Sequence, residues 1–371
     1  MLYLDNAATT ARKPLAVYAS MIYNTLFGGY NAGRGGSAKS LRAARTVIRA
    51  QETVAELIGA EKPQNIIFTP NATLALNAVL LGASRGGHIA VSEMDHNSVL
   101  RPAHRLGRFS AAKADSGGYV SAKAFERVIT PETTLVVCTH ASNVCGTIEP
   151  AAEIAAAAHR AGALFLLDAS QTIGSGEVDN RRIDADFIAF AGHKGLMAPM
   201  GTGVLYVRDK DTIDPVITGG TGSMSESLSQ PDIMPDMLHS GTLNIPAIAA
   251  LDTAAKYIIR HRREIEERER YVSAAFERLL RQREDITLYG RGPKTAVCAF
   301  NIEGLTSAET EERLGGRIAL RSGYHCAPLA HRALGTRDTG AARVSFGAFD
   351  SVRTARRAAE AVLRVRKYGE R

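Results

Sequence analysis

Short runs of almost uninterrupted apolar residues recur along the first two hundred positions, with stretches of helical spacing between them. Residues 65–69 (NIIFT), 88–92 (HIAVS), 134–139 (TLVVCT), 163–168 (ALFLLD) and 187–190 (FIAF) are each long enough for one strand. None alternates apolar with polar, so the pattern predicts strands buried on both faces. Helices are predicted over 74–81 and over the alanine-rich 150–161, which stops before Gly162. This alternation implies an α/β fold around a mainly parallel sheet. A further run, 203–208, follows a glycine turn and is expected to close that sheet. Residues 218–244 are rich in Gly, Ser, Met and Pro and show no period, which predicts a long irregular segment of the kind that usually carries function. A long charged helix is predicted from 246 to 283 as a connector to a second, smaller α+β domain, with a final helix over 351–368.

Composition narrows the class. The 371 residues are 45% hydrophobic and 22% charged, which excludes a disordered or collagen-like chain. No window of about 18 apolar residues is present, so no membrane helix is expected. The first residues (MLYLD) lack a secretory pattern, and a cytoplasmic location is expected. The net charge of +7 is dispersed, and the densest basic run, 261–270, alternates Arg with Glu as a solvated helix face does. Nucleic acid is therefore not expected as a partner. The cysteines Cys138, Cys145, Cys298 and Cys326 form no metal or disulfide framework, so no metal is expected and a single reactive thiol stays open.

Polar groups follow the apolar runs in a telling way. Asp168 ends one predicted strand, and Lys194, in Ala191-Gly-His193-Lys194, follows another. In open α/β sheets ligands bind at that edge. A lysine there is costly to desolvate unless it is paired or used covalently. Such an acid and lysine suit pyridoxal 5'-phosphate, with the lysine as Schiff-base partner and the carboxylate at the ring nitrogen. Residues 69–77, with Ala72 and Thr73 at a turn into a helix, offer amides and a hydroxyl to an anion. His96 follows the second run, 88–92, and Asn143 the third, 134–139. In the C-terminal half, Arg321-Ser-Gly-Tyr-His325-Cys326-Ala-Pro328 places a cysteine beside a histidine in a loop read as flexible and accessible. Arg343 lies beside a later strand and is suited to grip a carboxylate.

Together these segments resemble the class V aminotransferase-fold enzymes, fold type I of the pyridoxal-phosphate-dependent transferases, and in particular the cysteine desulfurases and selenocysteine lyases. The likeness runs from Tyr3-Leu-Asp-Asn-Ala-Ala8 to Arg343-Val-Ser-Phe-Gly347, and the Arg-x-Gly-x-His-Cys-Ala-Pro loop is similar to the group II (SufS-type) branch. The resemblance implies Lys194 as the Schiff-base lysine, His96 stacked on the ring, Asp168 at the ring nitrogen and Gln171 at the phenolic oxygen. It implies Asn143 near substrate or ring, Ala72, Thr73 and His193 on the phosphate, and Arg343 on the substrate carboxylate. Cys326 would become the persulfide, with His96 or His325 assisting its deprotonation. Thr242 would reach the phosphate of the other subunit in a homodimer. The implied domains are 15–255, and 1–14 with 256–371. The expected reaction converts L-cysteine to L-alanine, with a sulfur-acceptor protein and iron–sulfur assembly as associated expectations. Selenocysteine lyase, a class V transaminase or amino-acid lyase, and a non-enzymatic scaffold are the alternatives. Ala191, Ser37, His239 and Leu74 depart from the family pattern, which usually has serine, histidine, an acid and glutamate there.

Overall fold

The computed structural model describes residues 1–33 and 36–365. Strand β1 (Leu2–Tyr3) precedes helices α1 (Leu15–Phe27) and α2 (Ala38–Ile58). Next come β2 (Ile66–Thr69), α3 (Ala72–Ala83), β3 (His88–Ser92), α4 (Asn97–Leu106), β4 (Phe109–Ala112) and α5 (Ala122–Glu126). These lead to β5 (Thr133–Thr139), α6 (Ala151–Arg160), β6 (Leu164–Asp168), α7 (Asn180–Ile183), β7 (Phe187–Ala191) and β8 (Gly203–Val207). The rest comprises α8 (Ile245–Leu280), β9 (Ile286–Tyr289), β10 (Val297–Ile302), α9 (Ser307–Leu314), β11 (Ile318–Ala319), α10 (Pro328–Ala333), β12 (Ala342–Ser345) and α11 (Val352–Leu363).

The expected strands build one seven-stranded sheet in the order β2-β8-β7-β6-β5-β3-β4. All neighbours are parallel except around β8, which is antiparallel to both β7 and β2. Strand β8 therefore does not close the sheet as expected. The chain turns back tightly from β7, with Gly192 N–H donating to Thr202 O at 2.9 Å, and inserts β8 between β7 and the edge strand β2. Two reversals leave β2 pointing the same way as β7. The C-terminal ends of β2, β3, β5, β6 and β7 consequently share one edge. Side chains cover the open side of β2: Gln51 Nε2 donates to Ile66 O at 2.9 Å, and Phe68 N–H donates to His239 Nε2 at 2.7 Å.

Helix α8 starts where Asn244 caps the Ala247 amide at 3.2 Å, with Pro246 in the first turn where its missing N–H is harmless. Its 36 residues span about 54 Å. It ends at Leu280, three residues short of the expected point, because residues 281–284 form a turn into β9. The N-terminal half of α8 packs on α1 and α2, and its C-terminal half on α11 and β10. There Phe276 meets Phe300 and Phe346 edge-on, at 6.0 and 5.6 Å between ring centres. Beside them lies the antiparallel sheet β12-β10-β9, while β1 pairs with β11 in parallel. Helix α11 is shorter than expected, and positions 366–368 of the expected helix lie outside the described residues. Residues 218–244 contain neither helix nor strand, as their composition implies.

Candidate active site

The shared strand edge opens into a cleft of about 220 Å³. Every residue expected to hold cofactor or substrate lines it except Thr242, so residues as far apart in the chain as Ala72 and Arg343 meet in one place. Asp168, the last residue of β6, is buried in mid-sheet, opposite Thr139 of β5 and Ala189 of β7. One of its oxygens accepts the Ser170 amide at 3.0 Å. Lys194 follows β7 and is held from behind by the N-terminal arm: Thr10 Oγ1 donates to Lys194 O at 2.9 Å, and the Thr10 amide to His193 O at 3.0 Å. Gln171 Nε2 reaches the same arm at Ala7 O, 3.1 Å away. Burial lowers the Lys194 ammonium from its ordinary range, Arg343 and Arg321 add to the effect, and Asp168 opposes it.

At the other end of the cleft, Asn71 caps α3 by accepting the Leu74 amide at 3.0 Å, which leaves the helix to begin with Ala72 and Thr73 facing the cleft. Gly203 of β8 permits this close approach, since a Cβ there would sit 2.5 Å from the Asn71 carbonyl carbon. Thr73 Oγ1 lies 2.9 Å from Ser98 Oγ, which lies 2.8 Å from His96 Nδ1. His96 caps α4, and Nδ1 also accepts the Ser98 amide at 3.1 Å, so the ring's proton sits on Nε2. Burial, then the Lys194 charge, pushes His96 down to about 4, and His193 likewise. Both rings are neutral near pH 7. Asp95, beside His96, is fully buried and ties two strand ends together: its carboxylate accepts the amides of Ser92 (2.7 Å) and Thr139 (2.6 Å).

Cys326 is exposed, whereas Cys138, Cys145 and Cys298 are buried. The loop expected to be flexible is instead pinned. Asn143 Nδ2 donates to His325 O at 2.6 Å and the Asn97 amide to Cys326 O at 2.7 Å. His325 and Cys326 both adopt left-handed backbone conformations, with φ of 49° and 58°. Two such non-glycine residues in succession cost about 1–3 kcal/mol each and are kept only where surrounding contacts enforce them. Both His325 ring nitrogens are engaged, at Arg321 O in the loop and His331 Nε2 on α10, so His325 has none left to serve the thiol. Arg343 is 2% exposed; its Nη2 pairs with Asp5 at 2.6 Å and its Nη1 donates to Asn143 O at 2.7 Å.

Thr242 stands apart, exposed in a separate surface groove with Gly220, Thr221 and Gly241. Sequence reasoning missed Ser98, Ser170, Asp5 and Asp95. Only Ser98, two positions after a capping histidine, carried a local signal.

Among the described residues, Ser170 Oγ, His193 Nδ1 and Arg343 Nε are buried without a hydrogen-bond partner, and all three residues line this cleft. Unpaired buried donors of this kind fit a polar ligand. A helix terminus with a hydroxyl for a phosphate, an acid at mid-sheet and a desolvated lysine match the donor set of pyridoxal phosphate. Ala191 brings no hydroxyl to that set.

The chain belongs to the class-V aminotransferase family, whose model matches residues 2–354 and whose members use pyridoxal phosphate. Its relatives are more specific. A protein of Methanothermobacter thermautotrophicus named as a probable cysteine desulfurase is 35% identical over 91% of this chain and 88% of its own length. One of Vibrio cholerae with the same name is 32% identical over 98% and 93%. The solved apo cysteine desulfurase of Thermococcus onnurineus superposes with a TM-score of 0.88 at 31% identity, covering 97% of this chain and 93% of that one.

Proposed function

We propose that this chain is a cysteine desulfurase in which Cys326 receives the sulfur of L-cysteine, a reading carried by the exposed, pinned Cys326 facing the cleft of Lys194 and Asp168. Ala72, Thr73 and His193 would hold the cofactor phosphate, His96 and Asp168 its ring, Gln171 and Asn143 its flanks, and Lys194 its carbonyl carbon. Pyridoxal phosphate, when bound, supplies the electron sink that makes the substrate Cα–H acidic. The Lys194 amine, whose charged form burial disfavours, takes that proton. Arg343 orients the substrate carboxylate with the N–H groups that Asp5 and Asn143 leave free. Cys326 Sγ, as thiolate, attacks the substrate sulfur. The new S–S bond forms as the substrate Cβ–S bond breaks, and the three-carbon remainder leaves as alanine after protonation. His96, neutral and bearing its proton on Nε2, is the cleft imidazole available for proton transfer.

The Arg321–Pro328 loop favours the group II branch. The same reading divides the chain into a cofactor domain (15–255) and a smaller one (1–14 with 256–371), supported by the separate apolar cluster around Phe276 and Phe300. It also makes the enzyme a homodimer. Exposed Leu15, Ile22, Leu26 and Phe27 on α1 offer an apolar face suited to a second copy. Light scattering reporting a cofactor-loaded monomer would remove that element. For the activity, Cys326→Ala should abolish sulfide and alanine formation from cysteine while the cofactor absorbance persists. Undiminished turnover of cysteine by that variant refutes the nucleophile.

A further inference from the structure

Behind the cysteine loop runs a chain of hydrogen bonds whose direction is dictated by chemistry. His325 Nε2 lies 3.3 Å from Arg321 O, and a carbonyl only accepts, so Nε2 carries the proton. A neutral imidazole has one N–H, which makes His325 Nδ1 an acceptor. Its neighbour at 3.3 Å is His331 Nε2, which therefore donates. His331 Nδ1 is then an acceptor in turn, and the Thr336 hydroxyl 2.7 Å away supplies the proton. The two rings lie nearly parallel, 5.5 Å apart at 16°, and Tyr324 packs edge-on against His331 at 5.1 Å. Both rings are buried, and burial holds both neutral.

This chain meets the cysteine turn at His325, while the Asn143 side chain and the Asn97 amide grip its carbonyls. We infer that His331, ordered by Thr336, is a positioning residue that locks the His325 ring and thereby keeps Cys326 in the left-handed turn that presents its thiol to the cleft. The inference rests on Cys326 as the sulfur nucleophile. The order of donors also explains why His325, next to Cys326 in sequence, does not act on its thiol: both of its ring nitrogens are already committed.

The test compares Thr336→Val, Thr336→Ser and His331→Phe with wild type and Cys326→Ala. Readouts are kcat and KM for cysteine, the cofactor absorbance, and the rate at which iodoacetamide alkylates Cys326, followed by mass spectrometry. Losing one buried hydrogen bond of the chain should lower kcat about tenfold in Thr336→Val, with KM and absorbance unchanged, and Thr336→Ser should restore it. His331→Phe should lower kcat at least as much. The alkylation rate of Cys326 should change by more than about threefold in Thr336→Val and revert in Thr336→Ser. Kinetics and alkylation in Thr336→Val matching wild type overturn the inference, whether or not His331→Phe folds. Full turnover by Cys326→Ala sinks the nucleophile reading alone, because the alkylation rates still judge the positioning.

Discussion

Glu269 gives a stability prediction with a definite sign. It sits two-thirds of the way along α8, is 5% exposed, and lines a small cavity behind Lys194 with Ser175 and Phe346. Burial pushes its carboxyl up to about 8; the nearby Asp350 and Glu266 reinforce this, and a hydrogen bond with Ser175 opposes it. Between the ordinary glutamate value near 4.5 and about 8, the folded protein keeps a proton that the unfolded chain releases. Stability then falls as pH rises, by about 1.4 kcal/mol per pH unit, because the folded state binds the extra proton. Over that window the loss is roughly 4–5 kcal/mol. Glu269→Gln retains the shape and a hydrogen-bonding end but cannot ionise. At pH 5 its unfolding temperature should lie close to that of wild type. By pH 8 it should exceed wild type by about 4–6 °C, given an unfolding entropy near 0.8 kcal/mol/K for a chain of this size. Differential scanning calorimetry on cofactor-loaded protein at both pH values measures the difference. A gap between variant and wild type that does not grow with pH refutes the assignment of a protonated carboxyl at this site.

Other consequences can be checked more briefly. Phe276→Ala empties the centre of the second apolar cluster and should cost about 3–5 kcal/mol, seen as a lower denaturant midpoint. Asp5→Asn leaves the buried Arg343 charge without its carboxylate, and a loss of about 2–4 kcal/mol is expected in thermal unfolding, softened because Asp5 is partly exposed. His239, held down to about 4 by burial, stays neutral when folded, so its contribution is complete above pH 6.5 and lost as pH falls toward 4. His239→Gln retains an acceptor for the Phe68 amide and should flatten this acid limb by about 3 kcal/mol. His239→Phe removes the acceptor, and hydrogen exchange at Phe68 should quicken.

What could be read from the chain follows from burial. Strands covered on both faces appear as apolar runs, so five ligand-edge strands and the polar groups at their ends were visible, Asp168 and Lys194 above all. The position of β8 was not, because an antiparallel insertion leaves the same apolar signature as a parallel edge. β4 was missed because Phe109-Ser-Ala-Ala112 is short and weakly apolar. Residues whose roles depend on long-range partners gave no local sign: Asp95 bridges β3 to β5, His239 covers the edge of β2, and Thr336 orders two histidines. The Cys326 loop looked mobile because it carries a glycine and a proline around the cysteine, yet hydrogen bonds from Asn97 and Asn143, remote in sequence, decide its state.

The pairing of the first residues with the last strands has a consequence for how the molecule is made. Asp5 waits for Arg343, Leu2 for Ile318, and the amide of Ala7 for the hydroxyl of Ser345. On a ribosome the seven-stranded sheet can assemble once about 207 residues have emerged, since its last strand ends at Val207. The lysine and the acid are then in place, but the arm that braces Lys194 has lost half its anchorage and the thiol does not yet exist. The site is completed only when β12 emerges and meets the N-terminal arm at Asp5 and Ala7, some 340 residues after synthesis begins. A nascent chain can thus acquire the means to hold a cofactor well before it acquires the means to move sulfur.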